Sequence, residues 1–323
     1  MYEGLSSPNI HSPLSLSEFA GVASHYPLAK LWGGGSFIMS RPDCYPSVTK
    51  NEEIIYLGQI AELKHFQRND RFAEFGAMVT LEEIYRTGKS ILPKVLLDDI
   101  SSLGSRLITT RATIGGAIAC KELVTSFPGT LLVLDANIEV HFAKKKKKIH
   151  PKWMQLTRLL DKTGHIALPP QGLISRVRVS FSDKDYQRFR SIGSLINEPS
   201  ESVAIAFTAH RDQDVLISPS IAFTYPDRGT LYSRDVDNVF SSVRLPLNPA
   251  EYNVLESMLF GFIDSIFPGI SPLQRVRTSG ILHGIMDELN ELSLTVPGSE
   301  EEKEGQIHGQ LPTPKPSWNT SGN

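Results

Sequence analysis

Cysteine is scarce in this chain: Cys44 and Cys120 stand alone among 323 residues. Two thiols exclude a disulfide framework and a four-cysteine metal site. They also exclude an iron–sulfur cluster ligated by this chain alone. Long hydrophobic runs are missing, and no stretch approaches the roughly eighteen apolar residues that span a bilayer. Charge of one sign is missing too. The 33 Lys and Arg against 35 Asp and Glu leave a net charge of −2, so neither nucleic acid nor an anionic membrane is implied as a partner. The N-terminus lacks the basic start and apolar run of a secretory leader, which makes the cytoplasm the expected location. The nine histidines show no His-x-x-x-His spacing, and no nucleophile elbow or paired catalytic carboxylates stand out. No Gly-x-Gly-x-x-Gly follows a strand.

A hydrophobic content of 40% with 21% charged residues describes a globular chain with a sizeable core and room for two or three compact units. Glycine is abundant in two places about eighty residues apart. One is Leu31-Trp32-Gly33-Gly34-Gly35-Ser36-Phe37-Ile38; the other is Thr113-Ile114-Gly115-Gly116-Ala117-Ile118-Ala119. Successive glycines admit positive φ and close backbone approach. Their consecutive N–H groups can converge on phosphate oxygens. Two such turns suit the two halves of a pyrophosphate, hence a dinucleotide held without a Rossmann fingerprint.

The rest reads as an α+β chain. Ser15 to Glu18 and Thr80 to Glu83 are capping boxes that open helices. Residues 29–32, 53–57, 72–79, 137–142, 173–179, 204–209 and 217–224 are expected strands, and 129–134 reads as the apolar run that leads into 137–142. Asn248-Pro249 and Ser271-Pro272 start two closing helices. The first carries Val254, Leu255, Met258, Leu259, Phe262 and Ile263 on its apolar face; the second carries Val276, Ile281 and Leu282. A break is expected near residues 160–172. The division is then 1–55, 56–165, 166–296, and a disordered tail at 297–323. Lys144 to Lys148 reads either as a solvated hairpin tip or as a docking patch for an acidic partner.

Several segments, in this order, resemble the flavin-binding subunit of the molybdenum hydroxylase family, which includes carbon monoxide dehydrogenase and xanthine dehydrogenase. They are the Gly33–Ile38 turn, 75–84 (FGAMVTLEEI), 112–119 (ATIGGAIA), 131–140 (LLVLDANIEV) and 173–179 (LISRVRV). The resemblance implies an α+β fold: a two-subdomain, non-Rossmann α/β FAD-binding region followed by a smaller α+β domain with an antiparallel sheet and helices. It implies FAD as cofactor. Gly33, Gly34, Gly35 and Ser36 then hold pyrophosphate, flanked by Leu31 and Phe37. Thr113, Gly115 and Gly116 form a second cradle, with Ala77 and Thr80 on the approaching segment. Ala117 and Ser126 stand where the family has Asn and Asp near the cofactor, and Ile174 packs against the flavin ring. The molybdenum cofactor and iron–sulfur clusters belong to partner chains, a large molybdenum-binding and a small iron–sulfur subunit. Electrons leave to NAD+, a quinone or oxygen, and no side chain of this chain needs to be an acid, base or nucleophile. The polar residues replaced at 107, 109, 110, 117 and 126 leave a second function open, a scaffold that keeps the fold without FAD.

Overall fold

Three sheets organise the molecule. In this computed structural model the described residues are 8–40, 52–121, 123–142, 151–169, 172–181, 184–194, 197–241 and 243–294. The lysine run, Cys44 and the C-terminal tail lie outside them. The first sheet joins β1 (Asn9–His11), β2 (Lys30–Trp32) and β3 (Glu53–Tyr56) in parallel, with β3 in the middle. Ile54 and Ile55 give β3 its buried faces. Between β1 and β2 runs α1 (Leu16–His25), capped by Ser15, whose hydroxyl accepts the Glu18 N–H at 3.1 Å. The reciprocal bond goes elsewhere, since the Glu18 carboxylate takes the N–H of Leu14.

The second sheet is antiparallel, in the order β4 (Phe66–Arg68), β5 (Phe72–Gly76), β8 (Gly172–Ser180), β6 (Asn137–Phe142) and β7 (Lys152–Gln155). Strand 172–180 was expected to open the C-terminal unit. It instead fills the centre of this sheet, because its alternation suits two paired neighbours. Val177 and Val179 enter the core, while Arg176 and Arg178 reach the opposite face. There the buried Glu74 accepts Arg176 at 2.8 Å and Arg178 at 2.7 Å. Glu139 accepts Arg176 at 2.6 Å. The Arg178 guanidinium lies 4.2 Å from the rings of both Phe72 and Trp153. Burial raises the Glu139 pKa, and the hydrogen bonds of Arg176 and Ser175 outweigh it, so the carboxyl is held below its ordinary range.

Helices α2 (Leu81–Gly88), α3 (Lys94–Ser102), α4 (Arg106–Thr109), α5 (Ile114–Ala119) and α6 (Phe127–Val133) lie between β5 and β6. Thr80 caps α2 in a complete capping box with Glu83. The apolar run at 129–134 proves to be mostly helix α6. It looks strand-like because every residue of α6 is buried, so no polar face marks the helical period.

The third sheet, also antiparallel, has the order β12 (Gly229–Leu231), β11 (Val215–Tyr225), β10 (Val203–Asp212), β9 (Tyr186–Ile192). Strand β10 is buried on both faces, which explains its unbroken apolar run. Ala204 and Ala206 join the core that contains α3 and α6. Val203, Ile205 and Phe207 join a second core with α7 (Arg234–Phe240), α8 (Pro249–Ile266) and α9 (Pro272–Leu294). Asn248 caps α8 in a complete capping box. The face that α8 buries is Tyr252, Leu255, Leu259 and Ile263; Val254 is 62% and Met258 51% exposed. Val276 is likewise exposed, whereas Ile281 and Leu282 are buried.

Candidate functional site

The first glycine turn follows β2. Pairing with β3 fixes Trp32 opposite Tyr56, and the Trp32 carbonyl accepts the Leu57 N–H at 2.9 Å. The chain then reverses through Gly33-Gly34-Gly35-Ser36, with Gly35 at φ +72°. Carbonyls of the turn are engaged: Gly35 accepts Met39 N–H at 2.9 Å and Phe37 accepts Ser40 N–H at 3.0 Å. Its donors are not. Among the described residues, the N–H groups of Gly33, Gly34, Gly35, Ser36 and Phe37 make no hydrogen bond, nor does the Ser36 hydroxyl. The whole turn is half-buried.

The second glycine cluster is not a turn but the start of a helix. Thr113 is the N-cap of α5, and its hydroxyl accepts the Gly116 N–H at 3.3 Å. The remaining donors are also taken. Ile114 N–H goes to the Val79 carbonyl at 3.0 Å, Gly115 N–H to Ala77 at 2.9 Å, and Ala117 N–H to Thr113 at 2.9 Å. The donors that Gly115 and Gly116 were expected to offer a ligand are thus engaged within the protein: that of Gly115 ties the helix to Ala77, just past β5, and that of Gly116 is held by the Thr113 cap. Gly115 is glycine for another reason. A Cβ there would stand 2.7 Å from the Ala77 Cβ, closer than packed carbons approach. Gly116 is exposed and Ala117 half-buried.

The structure brings the two clusters into contact. A Cβ on Gly34 would fall 1.6 Å from the Arg111 carbonyl oxygen and 3.2 Å from Thr113 Cγ2. One on Gly33 would stand 3.2 Å from Thr113 Oγ1. Thr80 bridges Thr113, which docks the capped start of α2 beside this contact. The Thr80 hydroxyl is spent on Glu83. Leu31 is 38% exposed and Phe37 half-buried, both next to the turn in sequence. Ala77 and Ile174 are buried in the core.

Ser126 is not gathered with these residues by its hydroxyl. It is buried, and its Oγ donates to Asp99 Oδ1 at 2.5 Å. Burial pushes the Asp99 carboxyl up to about 7, against the pull of the Ser126 bond. Asp99 belongs to no motif in the sequence, although the spacing Val95, Leu96, Asp99, Ile100 puts it on the buried face of α3. The Trp32 indole lies over Gly35. A separate cavity of about 520 Å³ opens across α2, α3 and α4, lined among others by Glu82, Tyr85, Arg86, Lys89 and Arg106. It includes no residue of the glycine turn.

A turn of free donors, closed on one side by a glycine contact, fits a phosphate-bearing group. The fold agrees with that of known oxidoreductases. Quinoline 2-oxidoreductase from Pseudomonas putida 86 is 14% identical over 90% of this chain and 99% of that one, with a TM-score of 0.68. Carbon monoxide dehydrogenase from Oligotropha carboxidovorans is 16% identical over 90% and 99%, with a TM-score of 0.69. The enzyme from Hydrogenophaga pseudoflava is 13% identical over 88% and 96%, with a TM-score of 0.67. No curated protein sequence matches. The class is thus a fold of mixed α and β structure shared with these proteins. Residues 6–180 match the model of the FAD-binding domain in molybdopterin dehydrogenase, and the chain belongs to that family of oxidoreductases, whose cofactor is FAD. Among the described residues no helix is long and apolar enough to cross a membrane.

Proposed function

We propose that this chain is the electron-transfer subunit of a multi-chain molybdenum hydroxylase. Electrons arrive from iron–sulfur clusters on a small partner, drawn from a molybdenum centre on a large one, and leave to NAD+ or another acceptor. The reading makes the chain cytoplasmic. The observation that carries it is the run of unpaired donors from Gly33 to Ser36, inside the family-matched span.

Gly33, Gly34, Gly35 and Ser36 hold the pyrophosphate through backbone N–H groups and the Ser36 hydroxyl. Thr113, at contact distance from Gly33 and Gly34, sets the turn's position. Leu31 and Phe37 supply apolar flanks. Ala77, Thr80, Gly115, Gly116 and Ala117 act behind this layer, by fixing α5 and the Thr113 cap against β5. Ser126 acts through Asp99 as a support of α6, and Ile174 as core beneath the ring. Bound FAD supplies the redox chemistry, and the protein supplies position and electrostatics. Residues up to Ser180 form the flavin-binding region under this reading, and those from Lys184 the C-terminal unit.

The test is the visible spectrum of the purified chain after incubation with FAD and desalting, paired with its melting temperature. Retained flavin absorbance and a rise in melting temperature are expected. A ligand bound only to the native state stabilises it by about 2.7 kcal/mol at one hundred times its Kd. A colourless chain whose melting ignores FAD, alone and with its partner subunits, overturns the reading and leaves the scaffold. Electron delivery is checked by reducing the assembled complex with its substrate and following the bleaching of the flavin with and without NAD+.

A further inference from the structure

Trp32 closes the edge of the first glycine turn. A Cβ placed on Gly35 would stand 2.7 Å from Nε1 of Trp32, 2.9 Å from Cε2 and 3.0 Å from Cζ2. The edge of the indole that carries the N–H therefore meets the turn. Position 35 is glycine on two counts, its φ of +72° and the ring that fills the place of a side chain. The indole N–H can only donate. Among the described residues it has no acceptor, although Trp32 is half-buried. That donor is not among the buried side-chain atoms without a partner, so a ligand in the turn can reach it. Here it sits beside five backbone N–H groups and a hydroxyl that also lack partners. Donors gathered without acceptors attract an anion.

We propose that Trp32 is a side-chain ligand of the phosphate group held by the first glycine turn, its indole N–H donating to a phosphate oxygen. The inference rests on the reading of that turn as the pyrophosphate cradle. It assigns to Trp32 a side-chain donor of the kind that Ala117 cannot supply.

The experiment compares the full chain with its Trp32→Phe variant, both stripped of flavin and titrated with FAD by flavin fluorescence. Phenylalanine keeps a ring over Gly35 and removes the donor. About tenfold weaker FAD binding is expected, the loss of one charge-assisted hydrogen bond, with the melting of the flavin-free proteins unchanged. In the wild type, FAD should also slow solvent exchange of one indole N–H, observed by NMR and assigned by its absence in the variant. Equal FAD affinities overturn the inference, and so does a Trp32 N–H that exchanges equally fast with and without FAD. A wild-type chain that binds no FAD overturns the cradle itself, and this inference with it.

Discussion

The two glycine clusters look alike in sequence and do opposite things. In the first, backbone donors point away from the protein's own hydrogen bonds and remain unpaired from Gly33 to Phe37. In the second, each donor from Ile114 to Ala117 is consumed by the carbonyls of Val79 and Ala77, by the Thr113 hydroxyl or by the Thr113 carbonyl. Glycine serves exposure in one and proximity in the other. Gly115 is small so that a helix can touch a strand; Gly34 is small so that one turn can touch the segment beside it. What separates the cases is the cap. Thr113 starts a helix, whose first donors have no partner within it; the Thr113 hydroxyl and the carbonyls of Val79 and Ala77 take them instead.

The comparison can be broken by substitution. The largest effect is expected at Gly34→Ala. Its Cβ would collide with the backbone carbonyl of Arg111, so the turn must move, and FAD affinity should fall by about 100-fold or more, read by flavin titration. Gly115→Ala comes next. Overpacking against Ala77 should lower stability by about 1–3 kcal/mol in denaturant unfolding without flavin. If this variant instead loses FAD while keeping full stability, the second cluster is a ligand cradle after all.

The third prediction concerns Ser126, which shares the second cluster's inward role through Asp99. Folding raises the Asp99 pKa from an ordinary value near 3.9 to about 7. The folded state then binds more protons than the unfolded one across that window. Stability from this group is full below about pH 4 and is lost as pH rises through about 7. Melting curves from pH 5 to 8 should show this fall in the wild type, and Asp99→Asn should flatten it. The smallest effect is expected at Gly116→Ala. The site is exposed and helical, so alanine gains up to about 1 kcal/mol of propensity. A neighbouring Thr113 Oγ1 at 3.0 Å offsets part of it. FAD affinity should be unchanged, read by flavin titration.

Much of this was legible beforehand. Caps at Ser15, Thr80, Asn248 and Ser271 and the strands at 53–56 and 137–142 follow from local patterns that their neighbours do not overrule. So did the family, through the order of its segments. Three features were hidden because they depend on distant partners. Helix α6 is buried all round, between the third sheet and helices α3 and α5, which erases its period. Strand β8 reads as the first strand of a new unit, since nothing local reports that β5 and β6 wait on either side of it. The second glycine cluster needed the carbonyls of Ala77 and Val79 to reveal where its donors go. At the site, the first turn stands out as one group in the sequence itself, whereas Trp32 and Asp99 become informative only in three dimensions.

The position of β8 also has a consequence for synthesis. Strands β5 and β6 never pair with each other; β8, the last strand of that sheet to be made, separates them. Until Ser180 has left the ribosome, the chain holds two half-sheets with facing open edges, and the carboxylates of Glu74 and Glu139 have no arginines. Unpaired edges are where nascent chains stick to one another. A fragment ending near residue 165 should therefore aggregate, whereas one extended to residue 181 can close its sheet.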